Sequence, residues 1–559
     1  MNLVLTGSST GIGASPILSR WMWLAAVLLT VGELLVFDRM TSRFHAHVYP
    51  RWTDQTQYLS DVYSGYENLR VNGFWHGLKT TLTNPVPQGK LHDVFAVLIF
   101  RLTGNPSRSA ALSLNILAFL AWQAALFAII PQVSGSRVLG WMGFGLLLCL
   151  KWPWSVNAGS AVDFRLDHSA MCLMGMSATV ALLTKGYRSL GWSMAFGAAV
   201  GLTLVERFLT GTNFALICLA SVIWVLVGES RFLRLRNLLL AGLVAGVLAA
   251  PIFWLNRLGI YNYYWGGHIL SADGAARTPG LDTWRSVVFV FSHLGQQQLG
   301  AYFGWMVVAL TVPLLVAISG AWRKAASPDD RNWLFFGLAF LLLPAVVLCL
   351  HRQKSEFVLG ILVPGIVLLI LWIWAALWRR IDFPTKNLGL TPIPALLAVG
   401  AVAAGGGYFL QRQLAPPHSK QFLAGARQIN QLADYLFTTS RTAGLAQPRI
   451  GADQLTDSLD GRTMSVFCYE RQKTWLPFST VLPTGILMEK DDFIMDRLKQ
   501  CDFVLLTDQM AGDGYYPYDH QMRRLYPILK QWCETHLRRV ETFPLFDREM
   551  SLYQRREIP

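Results

Sequence analysis

Eleven apolar runs, each near the length that crosses a bilayer, fix most of what this chain can become. They lie at about 21–37, 109–131, 137–152, 168–185, 189–206, 211–228, 236–256, 301–321, 332–350, 357–378 and 389–410. A hydrocarbon core about 30 Å thick takes roughly 20 apolar residues of helix. Lipid offers no partner to an unpaired backbone amide, so helices are the form such runs must adopt. Hydrophobic residues make up 53% of the chain against 15% charged, and mean hydropathy is +0.36, far from a soluble average. After Arg412 the composition turns polar and stays so to Pro559. The expected architecture is a polytopic α-helical membrane unit over 21–412, a short tail at 1–20 and a soluble α/β domain over 413–559.

The net charge of +14 invites a nucleic-acid reading, but the cations form no single patch. They recur at Lys185 to Arg188, at Arg231, Arg234 and Arg236, at Arg323, Lys324 and Arg331, and at Arg379, Arg380 and Lys386. These are alternate connections, so they share one side, which the positive-inside rule makes cytoplasmic. Arg20 puts the amino terminus there too. The connections 38–108, 153–167, 257–300 and about 351–356, and the carboxyl-terminal domain, then face outward, which in a bacterium is the periplasmic side of the inner membrane. No nucleic-acid partner is expected.

Residues Thr6 to Gly13 read TGSSTGIG, like the glycine-rich turn of a dinucleotide fold. That turn needs a preceding strand and a full βαβ unit. Only five residues precede it, so it reads as part of the tail. The first span is read as retained, since charged Asp38-Arg39 and no small-residue cleavage site follow it. The seven cysteines show no metal-site spacing, and those in or beside apolar segments read as core residues.

Chemistry gathers in the outward connections. In the first, Trp52-Thr53-Asp54-Gln55-Thr56-Gln57-Tyr58 opens a stretch where Tyr58, Leu59, Val62, Tyr63, Tyr66 and Leu69 recur at helical spacing. This predicts an amphipathic helix on the membrane surface, with Asp54 at its start, either as a helix-end carboxylate or as a functional acid. Next come Lys90, His92 and Asp93, which are either a solvated loop or site residues. The apolar stretch Val94 to Leu102 is too short to cross. The second connection reads Asp163-Phe164-Arg165-Leu166-Asp167-His168. Helical spacing puts Asp163 and Asp167 on one face, as site groups or as a solvated Arg–Asp pair. Glu206-Arg207 interrupts the apolar run from Ser189 to Val227, as intramembrane function or as a mutually paired outer turn. A fourth group is His351-Arg352-Gln353-Lys354-Ser355-Glu356-Phe357, followed by Pro364.

The order is first span, outer acid with D-x-x-x-Y spacing, surface helix, Lys-containing loop, short apolar helix, Leu-Thr-Gly-Asn, then a small-residue helix. It resembles the polyprenyl-phosphate-sugar-dependent glycosyltransferases of GT-C fold, which include protein O-mannosyltransferases and the aminoarabinose transferase of lipid A. The resemblance covers about 20–380. Gln55 stands where that family commonly has a glutamate, Lys90-Leu91-His92 where it has Lys-Pro-Pro, and Glu356-Phe357 where a basic-aromatic pair is usual. The resemblance implies a glycosyltransferase that moves a sugar from a polyprenyl-phosphate donor to an acceptor hydroxyl on a glycan, lipid or protein.

Such a transfer needs a base for the acceptor proton, cations for the leaving phosphate and groups that hold the sugar. Asp54 is the candidate base, and direct displacement would invert the anomeric centre. Asp167 is its catalytic companion. Arg165, Arg207, Arg352 and Lys354 are candidates for the donor phosphate. Tyr58, Lys90, His92, Asp163, His168 and Glu206 are substrate-binding candidates. Tyr261 to Trp265 suit sugar stacking, and suit an interfacial aromatic belt better. The chemistry requires no cofactor or metal, and it leaves room for a carboxylate-bound divalent ion. A flippase or transporter of lipid-linked sugars is the alternative, and it would show repeats or broken helices near the midplane.

In 413–559 the patterning predicts helices at Ala424 to Phe437 and Tyr526 to Arg538. Strands are predicted at Thr463 to Tyr469, Asp502 to Thr507 and Met550 to Gln554. This domain reads as a cap over the bundle or a contact for the acceptor.

Overall fold

The structure is a computed structural model. It describes residues 16–45, 53–84, 89–270, 282–317, 328–351, 354–379, 400, 405–407, 420–445, 448–452, 461–476, 478–480, 490–507, 520–545 and 548–556. Arg352 lies outside them, as does most of the expected span 389–410.

Among the described residues six helices are long and apolar enough to cross a membrane: Arg108–Ser134, Leu166–Leu183, Thr210–Val227, Arg231–Trp265, Asp330–Leu350 and Glu356–Trp378. Each coincides with one of the expected runs. Two further runs form shorter apolar helices, Arg137–Leu148 and Leu190–Glu206. The runs 21–37 and 301–321 fall on helices Pro16–Asp38 and Gly300–Ala317. Helix Arg231–Ile260 has an outer apolar side and an inner one: Leu239, Leu243 and Val247 are exposed, while Leu238, Ala241 and Ala245 are buried.

The basic turns meet at one end of the bundle, as their alternation requires. Arg234 donates to the Gly186 carbonyl at 2.6 Å, Arg188 pairs with Glu229 at 3.6 Å, and Arg379 pairs with Asp330. The charged connections read as outward-facing gather at the other end.

There the amphipathic stretch forms α1 here, Thr53–Asn72. Its apolar face buries Leu59, Val62, Tyr63 and Leu69. That face is covered by protein rather than resting on lipid. On one side lies α2, Leu91–Thr103, where Phe100 stacks on Tyr63 at 5.3 Å and meets Tyr66 edge-on at 5.6 Å. On the other lies α3, Gly461–Gln472, where Tyr469 tilts against Tyr63 at 5.1 Å.

The segment Thr463 to Tyr469 is therefore a helix, not the strand its composition suggests. A short apolar run carries no decisive period. Here Thr463 through Tyr469 are all buried, because α3 lies between α1 and the carboxyl-terminal sheet. That sheet is five-stranded with order β2-β1-β3-β5-β4, where β1 is Ile450–Ala452, β2 Phe478–Thr480, β3 Phe503–Thr507, β4 Leu537–Leu545 and β5 Arg548–Arg555. β1 runs parallel to β2 and β3, and β5 runs antiparallel to β3 and β4. Expected strands 502–507 and 550–554 coincide with β3 and β5. The expected helix 526–538 is His520–His536, giving way at Leu537 to β4.

Around the Tyr63–Tyr469 contact the seam between the two units carries polar links. Glu470 accepts from Arg108 Nη2 at 2.6 Å, Arg108 Nε at 3.1 Å and the Tyr63 hydroxyl at 2.9 Å. Tyr469 donates to Glu67 at 3.2 Å, Arg462 to Gln57 at 3.0 Å, and Lys473 to the Pro106 carbonyl at 2.9 Å. The carboxyl-terminal unit thus sits on the face of the bundle that carries Asp54.

Candidate active site

All four outward connections, together with the turn after Glu206, contribute to one open cleft. The first supplies Asp54 and Tyr58, and the second Arg165, Leu166 and Asp167. The turn supplies Arg207, Thr210 and Asn213. The third supplies Tyr263, Tyr264, Phe289 and Val290, and the fourth His351, Lys354, Ser355 and Phe357. Residues from distant parts of the sequence meet because each ends a helix at the same end of the bundle.

Asp54 lies in the first turn of α1, with its side chain 55% exposed toward the cleft. Its Oδ2 is 3.5 Å from Arg165 Nη1. Tyr58, one turn on, is buried, and burial together with neighbouring Asp54 pushes its phenol well above the ordinary value. Tyr58 is therefore a neutral hydroxyl at the wall.

The connection before Leu166 is tightly built rather than solvated. Asn115 Nδ2 donates to the carbonyls of Ala161 and Asp163, and Trp152 Nε1 to that of Ala158. Gly159 adopts φ +72°, where a Cβ would lie 2.9 Å from Phe357 Cβ and 3.1 Å from Asp167 Cβ. Its amide donates to Asp163 Oδ2 at 2.5 Å. Asp163 precedes the helix that begins at Leu166, so it does not share a helical face with Asp167. Its fully buried carboxyl approaches Arg165 Nε at 3.3 Å. Burial raises the Asp163 carboxyl to about 7, against the pull of Arg165 and Gly159. Asp163 is thus a support beneath Arg165 and does not line the cleft. Arg165 also lies over the Phe357 ring, 4.9 Å from its centroid. The Gln55 side-chain oxygen accepts from the Phe164 amide at 3.0 Å, tying α1 to this connection.

Glu206 and Arg207 do occupy a turn between helices, but they do not pair with each other. Arg207 pairs with Asp167 across the cleft wall. Glu206 points the other way, to His92 at 2.9 Å. Lys90 is buried and pairs with Asp93 at 3.3 Å. Lys90, His92 and Glu206 therefore form a separate buried cluster behind the cleft. His168 is also outside it, stacked on Phe119 at 6.0 Å with Cys172 Sγ 3.7 Å from Nε2, as a core histidine. Lys354 lines the cleft, but its Nζ donates to the carbonyls of Leu348, Cys349 and His351 at 2.9, 2.9 and 2.6 Å. It caps the end of the preceding helix, and burial lowers its pKa.

Several cleft residues carried no signal of their own in the sequence: Thr210, Asn213, Phe289 and Val290. The spacing of Thr210 and Asn213 after Arg207 is the nearest thing to one, since both follow a charged turn by less than two helical turns. Of the aromatic run Tyr261 to Trp265, Tyr263 and Tyr264 line the cleft. Among the described residues no group of three or more His, Cys, Asp or Glu side chains is arranged to hold a metal ion.

A helical membrane unit with its long connections folded over an acid-and-arginine cleft, capped by a carboxyl-terminal sheet, defines a class. The chain has the GT-C fold, as the resemblance implies. It superposes along nearly its whole length on crystal structures of ArnT from Cupriavidus metallidurans. For the apo state the TM-score is 0.58 at 16% identity, covering 96% of this chain and 98% of that one. For the form bound to undecaprenyl phosphate it is 0.57 at 14% identity, covering 94% and 97%. At these identities the likeness is one of fold. No family model and no curated protein matches the sequence.

Proposed function

We propose that the chain is a membrane glycosyltransferase that moves a sugar from a polyprenyl-phosphate donor to an acceptor hydroxyl. The observation that carries this reading is the meeting of Asp54, Asp167, Arg165 and Arg207 in one cleft of a GT-C fold. The ArnT structure bound to undecaprenyl phosphate supports a lipid-phosphate donor. The transfer breaks the bond between the anomeric carbon and the phosphate oxygen and forms one to the acceptor oxygen. Asp54 is the carboxylate most open to the cleft and takes the acceptor proton. Attack opposite the leaving phosphate inverts the anomeric centre. Arg165 and Arg207 stabilise the growing phosphate charge in a partly desolvated site. They pair with Asp54 and Asp167, carboxylates that a phosphate would replace or join. Lys354 closes a helix end at the wall and adds its charge there. Tyr263 and Tyr264 offer faces for the sugar.

The polar groups gather at one face rather than at the midplane, which speaks against alternating-access transport. By the positive-inside rule that face is outside, and the carboxyl-terminal unit caps it. A reporter fused after residue 420 should therefore read as outside. The decisive test is binding of undecaprenyl phosphate to purified protein in nanodiscs, followed by native mass spectrometry. The reading predicts a one-to-one lipid adduct weakened at least tenfold in Arg165→Ala and Arg207→Ala. Absence of any adduct with the wild-type protein would overturn it.

A further inference from the structure

We propose that Glu206 and His92 are positioning residues that set where Arg207 enters the cleft. This inference rests on the donor-phosphate role of Arg207 proposed above. The helix Leu190–Glu206 ends at Glu206, and Arg207 is extended, with φ −146° and ψ 111°. The two side chains therefore leave the chain on opposite sides. Arg207 goes forward to Asp167 and the cleft. Glu206 goes back into a site with no exposure.

Behind the helix end, two other helices hold the Glu206 carboxylate. His92, from α2, places Nδ1 2.9 Å from Glu206 Oε1. Ser169, from Leu166–Leu183, donates its hydroxyl to the same oxygen. The His92 ring meets Phe164 edge-on at 4.1 Å, and Phe164 precedes Arg165. The cluster thus braces both cleft arginines from the rear. The backbone repeats the same join. The Lys90 amide donates to the Val205 carbonyl at 2.7 Å. At Gly89 an added Cβ would lie 1.8 Å from the Glu206 carbonyl oxygen and 2.1 Å from its carbon. Loop and helix end therefore touch backbone to backbone, with no room for a side chain.

Packing alone does not require this chemistry. A buried ionic pair is often no more stabilising than apolar residues of the same volume. What a directional polar network adds is one defined arrangement. At an active site that definition matters, because a shift of about 1 Å costs on the order of 100-fold in rate.

The test reads undecaprenyl phosphate binding in nanodiscs and, with a lipid-linked sugar donor, the split between KM and kcat. Glu206→Ala and the milder Ser169→Ala should weaken lipid binding and raise donor KM, by about tenfold and threefold. The kcat should fall as well, by about tenfold or more in Glu206→Ala, because a displaced Arg207 stabilises the growing phosphate charge less well. Glu206→Gln, which keeps an acceptor oxygen for Ser169, should recover most of the loss. Glu206→Ala combined with Arg207→Ala should bind no more weakly than Arg207→Ala alone. Wild-type binding by Glu206→Ala or, should that variant not fold, by Ser169→Ala overturns the positioning role if Arg207→Ala has lost binding. A double variant clearly weaker than Arg207→Ala also overturns it, as general structural damage. Wild-type binding by Arg207→Ala itself removes the phosphate role of Arg207, and this inference with it.

Discussion

The seam between the bundle and the carboxyl-terminal unit makes a quantitative prediction at Glu470. Its carboxylate takes three hydrogen bonds, two from Arg108 and one from Tyr63. Both members of the ion pair are largely buried, with side chains 9% and 2% exposed. Removing one partner of a buried pair costs roughly 3–5 kcal/mol. Arg108 has further interactions, so the lower end applies. At 1.4 kcal/mol per decade, about 3 kcal/mol is a factor of about 140 in the equilibrium between docked and undocked seam. Glu470→Ala should therefore speed amide exchange in 461–472 and in the facing residues of 53–72 by about two orders of magnitude. The central amides of 166–183 should be unaffected. Hydrogen-exchange mass spectrometry in detergent reads this directly. Arg471→Ala is the control, because Arg471 pairs with Asp434 inside the carboxyl-terminal unit at 2.6 Å. If exchange across the seam in Glu470→Ala stays within about threefold of wild type, Glu470 does not hold the two units together.

Further outcomes follow from the cleft. Asp54→Asn should lower transferase kcat by about 10²- to 10⁴-fold, the usual worth of a general base. Its melting temperature should barely move, because the pair with Arg165 is half-exposed; full activity at normal expression would remove Asp54 as the base. Asp163 binds its proton more tightly when folded, at about 7 against an ordinary 3.8, so the folded state holds the extra proton between those values. Stability should fall as pH rises through that window and level off above it, and thermal melts of Asp163→Asn should lack that decline. Gly159→Ala forces a side chain into a left-handed backbone and against Phe357 and Asp167. It should lower both melting temperature and activity, with about 1–3 kcal/mol of strain.

Much of this was legible before any coordinates. Span lengths and alternating basic turns placed Asp54, Arg165, Asp167 and Arg207 at one end of the bundle, because topology follows from where the charge lies between helices. What sequence could not say is which way a side chain points from a shared end. His92 and Glu206 lie in the same connections as cleft residues, yet turn inward, a choice made by backbone geometry at Gly89 and Arg207. Lys354 was legible as a cation near the cleft, but not as one bonded to the carbonyls of the preceding helix. The helix 461–472 was misread because burial on every side erases the alternation that tells helix from strand.

The seam also orders the life of the chain during synthesis. Tyr63 and Glu470 are 407 residues apart. At ribosomal speeds of about 5–20 residues per second, α1 waits on the order of 20 to 80 seconds for its partner. Throughout that interval a helix bearing Asp54 lies at the membrane edge with part of its aromatic face uncovered. The surroundings of Asp54 are therefore completed last, when the final fifth of the polypeptide arrives. A chain stalled or cut before residue 461 would be inserted but not finished, and its open aromatic face would be a handle for quality-control proteases.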